Sequence, residues 1–394
     1  MKFSTTLKAV TALTAVALAA PASAEVTIGY LSDLSGGSSA LTGKSSQVAI
    51  EMAIEDFGGT VNGEEIKLLV ADQLNKPDVG LGIAREWIDT EGLDMLFNVD
   101  NSAVAMAVSP LAAENNVMFI TGASTTAMTN DSCEPLQIQM LMDSYGLSRA
   151  ITIPLVEQGL SDWYFITIDY AFGKDLEAKG VAAIEAAGGN IVGSVAHPPA
   201  ATDYSAYLLE AQAKGASTIG MATFGPAQIA IVKQASEFGI DLPKVPYFMS
   251  IEDIKSAGIE NLQGVQGAIQ FYWDENDATR DFAKRFQERY SRPPTFTNAQ
   301  AYEMVTHYLN AVQAAGSDES AAVNEKMRAT PVQFINGATA EIRADGRLAR
   351  PMYSYKTKAP GDMAGEWDFL ELTGEVAADS LLLPLEESTC KLVK

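Results

Sequence analysis

Two histidines, two cysteines and an acid pair at Glu252-Asp253 are the main material this chain offers for covalent or metal chemistry, and their spacing defeats most of it. His197 lies in a His-Pro-Pro loop and His307 inside a helical stretch; neither has a metal-ligating partner three or four residues further on, and Cys133 and Cys390 lack zinc spacing. His197 reads as a solvated loop residue, His307 as a helix-face residue. No Gly-x-Ser-x-Gly nucleophile elbow occurs. Gly43-Lys44-Ser45 has the ending of a phosphate loop, but Gly37 stands one residue too far upstream to complete it, and Gly80-x-Gly82 lacks the third glycine of a dinucleotide fingerprint. The acid pair follows a predicted strand end, the edge where α/β sheets place functional groups, and admits three readings: a hydrolytic pair, a ligand contact or a solvated pair.

Binding chemistry is better represented. After the predicted strands of the first half come Ser35-Gly36-Gly37, Asp100-Asn101-Ser102 and Gly122-Ala123-Ser124-Thr125-Thr126. Small hydroxyl side chains beside helix N-termini present donors to a carboxylate or another small polar head group, although Ser102 and Thr125 also suit plain N-caps. The second half supplies Asp169-Tyr170-Ala171-Phe172-Gly173, Thr223-Phe224-Gly225-Pro226 and Ser250-Ile251-Glu252. Rings at consecutive strand ends either wall a pocket for an apolar ligand body or belong to the core.

The elements that must position these residues alternate in type. Val26–Leu31, Glu65–Ala71, Met95–Val99 and Val117–Thr121 read as strands, with helices over Ser45–Asp56, Asp78–Asp89 and Ala103–Glu114 between them. The pattern restarts beyond Ser161 with strands Trp163–Ile168, Asn190–Val195, Thr218–Met221 and Tyr247–Met249 and helices Lys174–Ala187, Tyr204–Lys214 and Ala227–Phe238. Val265–Tyr272 is a further strand, Asp277–Tyr290 and Ala299–Ala315 are amphipathic helices, and Ala338–Arg343 with Met352–Lys358 suggest a hairpin about Asp345-Gly346. Two runs of βαβ units predict an α/β protein of two doubly wound lobes joined by several crossing segments. The expected division is residues 25–141 plus 272–350 for the first lobe and 142–271 plus 351–394 for the second.

Composition narrows the setting. Lys2 and Lys8, an apolar run from Ala9 to Ala20, and Ala22-Ser23-Ala24 form a secretory signal over residues 1–24, with cleavage expected after Ala24. The run is too short to span a membrane. With 50 acidic against 27 basic residues and a formal net charge of −23, the surface repels nucleic acid and anionic lipid. Two cysteines in an exported chain predict a Cys133–Cys390 disulfide tying the C-terminal tail to the first half.

Taken together, the leader, the Val26-Thr27-Ile28-Gly29-Tyr30 strand, the Leu34-Ser35-Gly36 turn, Gly122-Ala123-Ser124-Thr125 and Asp169-Tyr170-Ala171-Phe172-Gly173 resemble the type I periplasmic solute-binding proteins of ABC transporters. The branch is that of the leucine/isoleucine/valine binders and their aromatic-compound and amide-binding relatives. The resemblance covers nearly the whole mature chain. It implies a periplasmic, monomeric receptor without cofactor or metal, which closes on a small solute and delivers it to a membrane permease. By the same resemblance Ser102 and Thr125, with the Ala123 backbone and neighbouring Ser124, hold the ligand's carboxylate. Tyr170, Phe172 and Phe224 supply the second lobe's wall, and Glu252 receives an α-amino group. Phe172 and Phe224 stand where amino-acid binders usually carry tyrosines, which makes the wall more apolar and admits an aromatic ligand as readily as leucine. If the ligand is an aromatic acid, Glu252 must point away from it. Asp143 and Tyr145, near the first lobe crossing, are further candidates. The rival functions are a ligand sensor that signals through a partner and a secreted hydrolase using Glu252 and Asp253.

Overall fold

The computed structural model describes Met1 and residues 25–394; the rest of the predicted leader, with its cleavage site, lies outside the described residues. The first lobe is organised on β1 (Glu25–Ser32), buried along its whole length after Glu25. Then follow α1 (Ser39–Thr42), α2 (Lys44–Phe57), β2 (Thr60–Val61), β3 (Glu64–Asp72), α3 (Pro77–Glu91), β4 (Leu93–Asn98), α4 (Ser102–Glu114), β5 (Met118–Thr121) and β6 (Gln137–Gln139). The six strands form one sheet in the order β2-β3-β1-β4-β5-β6, parallel except between β2 and β3. Local chemistry sets the ends of the helices. Gly58, left-handed at φ 103°, stops α2, and the Asn101 side chain accepts hydrogen bonds from the Ala103 and Val104 N–H groups to start α4.

The second lobe repeats the scheme with α5 (Ser144–Glu157), β7 (Asp162–Ile168), α6 (Ala171–Ala186), β8 (Asn190–His197), α7 (Ser205–Ala213), β9 (Thr218–Ala222), α8 (Gly225–Glu237), β10 (Lys244–Pro246) and α9 (Ile251–Ala257). Its sheet is parallel, in the order β10-β9-β7-β8. After β11 (Gln266–Ile269), helices α10 (Asp277–Tyr290) and α11 (Phe296–Ala315) return to pack on α2, and α11 is followed by α12 (Ser320–Ala329). A small pair, β12 (Val332–Gln333) and β13 (Thr339–Ala340), precedes β14 (Met352–Thr357) and β15 (Leu370–Val376), which join β11 in an antiparallel sheet. Cys390 is bonded to Cys133, so the chain's last residues end on the first lobe. The α/β, two-lobed, doubly wound architecture is the expected one.

Several elements differ from the sequence reading. Tyr247–Met249 is not a strand: β10 ends at Pro246, and the capping box of Ser250 with Asp253 opens α9 just downstream. The Asp345-Gly346 turn closes only an Ile342–Leu348 bridge, because its far limb adds to the edge of β6: Gln139 N–H donates to the Gly346 carbonyl at 2.9 Å, and Leu348 N–H to the Gln139 carbonyl at 3.2 Å. β14 is then taken by β11 and β15, not by β13. Helix α5 occupies part of the segment read as a link between the lobes, and β6, α9, α12 and β15 were not anticipated. His197 is fully buried at the end of β8, its Nε2 3.2 Å from Thr223 Oγ1, and burial lowers its basicity. His307 is likewise buried, with Nε2 3.0 Å from the Met327 carbonyl.

Candidate functional site

In each lobe the strand order reverses beside the first strand: between β1 and β4 in the first, between β7 and β9 in the second. Open α/β sheets leave a crevice at the carboxyl ends of strands flanking such a switch point. Both crevices open into one cavity of about 330 Å³, lined by segments that follow β1, β4 and β5 on one side and β7, β9 and β10 on the other. A larger groove, about 680 Å³, lies at the opposite edge of the second lobe, where β10 and β11 begin, and has no such topological reason to bind.

The first lobe's side is polar. Ser102 opens α4, where helix geometry leaves the first N–H groups without intrahelical partners; Asn101 takes those of Ala103 and Val104. The Ser102 and Ser124 hydroxyls line the cavity and have no hydrogen-bond partner among the described residues, although both residues are buried. Beside them stands Asp100, part of the strand-end segment read from sequence but given no role of its own there. Its carboxylate accepts from Ser32 Oγ (3.0 Å), Asp33 N–H (3.1 Å), Gln73 Nε2 (2.7 Å), Ser38 Oγ (2.8 Å) and Thr42 Oγ1 (2.9 Å). Burial pushes this carboxyl above the usual carboxylate range, and the Ser38 hydrogen bond pulls the other way. Five donors use up a carboxylate's roughly four lone-pair sites, so Asp100 has no capacity left for a ligand's ammonium group. The backbone leading to it is strained: Asn98 and Val99 have φ of 74° and 36°, a region where a β-branched residue is an outlier.

The second lobe's side is aromatic. Tyr170, Phe172, Phe224 and Phe248 form the wall, with Phe172 edge-on to Phe224 at 6.0 Å between centroids and to Phe248 at 6.1 Å. Gly225, left-handed at φ 54°, lets the wall approach the first lobe, since a Cβ there would stand 2.8 Å from the Gly37 carbonyl oxygen. The Tyr170 hydroxyl has no hydrogen-bond partner among the described residues. Burial, with the carboxylates of Asp100 and Asp33 nearby, raises the phenol far above its ordinary value, so it stays a neutral donor. No lysine or arginine is among the lining residues.

Of the residues singled out from sequence, Ser102, Ser124, Tyr170, Phe172 and Phe224 come together around this cavity, and the other five do not line it. The Ala123 carbonyl accepts from Gln139 Nε2 at 2.7 Å. Thr125 caps a short 3₁₀ turn and donates from Oγ1 to Asp175 Oδ2 at 3.1 Å. Asp143 caps α5 through the Gly146 N–H at 2.9 Å and lies 4.0 Å from Arg347; burial raises its carboxyl against the pull of that arginine. Tyr145 lies under the Arg149 guanidinium, 5.3 Å from its ring centroid. Glu252 is ion-paired with Arg292 and is not among the residues lining the cavity; burial pushes it up to about 7 despite that partner. Asp253 is committed to the capping box, its carboxylate accepting from Ser250 N–H and Oγ at 2.9 Å each, so the two acids do not face each other across a cleft as hydrolysis requires. Phe248 was missed because it was read as a strand residue.

A family model described as periplasmic binding protein matches residues 25–362. The chain belongs to that family. A periplasmic binding protein from Burkholderia mallei is 35% identical and superposes with a TM-score of 0.91, covering 94% of this chain and 99% of the other. A branched-chain amino acid ABC transporter periplasmic ligand-binding protein from Burkholderia xenovorans is 34% identical at a TM-score of 0.84, over 94% and 100% of the two chains. A solute-binding protein of an ABC transporter from R. palustris, solved in complex with benzoate, shares the fold at a TM-score of 0.81 but only 19% identity, over 90% and 97%. The architecture is therefore that of a type I periplasmic binding protein of ABC transporters, a family of solute-binding receptors found in the periplasm. Among the described residues, no helix of this binding protein is long and apolar enough to cross a membrane.

Proposed function

We propose that this binding protein is the extracytoplasmic receptor of an ABC importer and that its cargo is a small monocarboxylate with an aromatic body. One observation carries the reading: four aromatic rings face two unpaired serine hydroxyls, Ser102 at the start of α4 and Ser124 just after β5, in a cavity with no free carboxylate to receive an ammonium group. Asp100 is saturated, and Glu252 is held outside by Arg292. The serine hydroxyls suit the carboxylate, beside the positive end of α4; Tyr170 offers a further donor. An amino acid's ammonium group would enter unpaired, a cost of several kcal/mol for a buried charge. The benzoate bound by the R. palustris neighbour is a ligand of this shape on the same fold. The lobes, residues 25–141 plus 272–350 and 142–271 plus 351–394 apart from the tail that Cys133 holds on the first lobe, close by rigid-body movement and no covalent step follows. The mature chain begins at Glu25, acts in the periplasm as a monomer without cofactor, and presents its closed form to the permease.

Calorimetric titration with benzoate tests the cargo. Ser102→Ala should weaken binding about tenfold or more, the worth of one hydrogen bond to a charged group. Unchanged benzoate affinity in this variant would remove Ser102 from the anchor.

A further inference from the structure

Two side-chain contacts join the lobes without lining the cavity. On α6 of the second lobe, Asp175 Oδ2 accepts from the Thr126 N–H at 2.7 Å and from Thr125 Oγ1 at 3.1 Å, both on the first lobe immediately after Ser124. Thr125 and Thr126 are themselves buried, so the junction is dry on the first-lobe side. On α9, Glu252 meets Arg292, which extends from the end of α10. The guanidinium is fixed before Glu252 reaches it: Nη1 donates to the Pro293 carbonyl (2.8 Å) and Asn298 Oδ1 (3.0 Å), Nη2 to the Ala40 carbonyl (3.2 Å), and the Tyr290 ring lies 4.9 Å away. Ala40 immediately precedes Leu41, which lines the cavity. One contact therefore sits beside Ser124 and the other beside Leu41, two different stretches of the first lobe's wall.

We infer that Asp175 and the Glu252–Arg292 pair are interlobe clasps that set how much of the protein is closed and how long a ligand stays. The inference rests on the two-lobed receptor reading. The two hydrogen bonds to the Asp175 carboxylate and the close Glu252–Arg292 ion pair exist only when the lobes meet. Opening exposes each group to water, so the clasps bias the equilibrium of a bistable pair of lobes. Because no ligand atom takes part in either contact, they act on any cargo alike: they raise affinity through residence time and leave the choice of ligand to the cavity. Thr125, a residue the family resemblance assigns to the ligand, here has its hydroxyl engaged by the opposite lobe.

Distances between spin labels on Lys76→Cys in the first lobe and Ala178→Cys in the second, measured with and without Asp175→Ala, test this without any ligand. The parent should show a short-distance population that falls at least threefold in Asp175→Ala and in Glu252→Gln, and that Asp175→Asn, which keeps an acceptor, largely retains. Melting temperatures of the separate variants identify any loss of folding, and Glu252→Gln serves as the second case if Asp175→Ala is unstable. With benzoate as probe, both clasp variants should release it about tenfold faster, with association changed less than twofold. Superimposable distance distributions in parent and variants, or a parent with no short-distance population, would overturn the clasps. If benzoate fails to bind the parent, the cargo assignment fails alone and the distances still decide the clasps.

Discussion

Glu303→Ala should destabilise the protein by about 3–5 kcal/mol, the usual loss when one partner is removed from a buried ion pair. Glu303, on α11, and Arg350, just before β14, are each 1% exposed in their side chains, and Arg350 Nη1 donates to Glu303 Oε2 at 2.5 Å. The guanidinium also lies 3.9 Å from the Phe334 ring centroid, and Glu303 Oε1 accepts the Ile335 N–H at 2.9 Å. Alanine therefore abandons a buried charge and a part-buried backbone donor together. The pair's net worth is a different quantity, since desolvation offsets much of its attraction. Replacing both residues with methionine should accordingly recover most of the stability lost by Glu303→Ala. Urea midpoints measure both effects; a loss below about 1 kcal/mol for the single variant would contradict the account.

Removing the disulfide with Cys133→Ser and Cys390→Ser should cost about 2–5 kcal/mol, toward the upper end because the bridge closes a long loop. It spans 257 positions and joins the connection between β5 and β6 to the chain's last residues. Polar contacts at the same place are short but exposed: Thr389 N–H donates to Asn130 Oδ1 at 2.6 Å, and Lys391 pairs with Glu134 at 3.0 Å. Surface contacts of this kind contribute at most about 1 kcal/mol each and cannot replace the covalent link. Reduction of the native protein should lower its melting temperature as the double variant does. A reduced protein that melts with the oxidised one would show that the tail adds nothing to global stability.

The alternation of buried strands with amphipathic helices was legible because parallel sheets covered on both faces impose it on the sequence. The strand-end rule then led to Ser102, Ser124, Tyr170, Phe172 and Phe224, since the topology fixes where carboxyl ends meet. Glu252 also follows a strand, but its ion pair is with Arg292, forty residues away just after α10, and no local pattern announces that partner. Asp100 was obscured for the same reason: Ser32, Ser38, Thr42 and Gln73 converge on it from scattered positions. Thr125 was readable as either cap or ligand contact, and only the approach of Asp175 from α6 shows its hydroxyl engaged. The Asp345-Gly346 turn was visible as a turn, whereas its pairing with β6 depended on a strand too short to register in the sequence.

The most direct measurement is the melting temperature of the mature protein with benzoate and, separately, with leucine at the same millimolar concentration. A cavity of four rings and two free serine hydroxyls, with no free carboxylate for an ammonium group, predicts that benzoate raises it, by the equivalent of about 2.7 kcal/mol at one hundred times the dissociation constant, and that leucine does not. Stabilisation by leucine with none by benzoate would contradict the account.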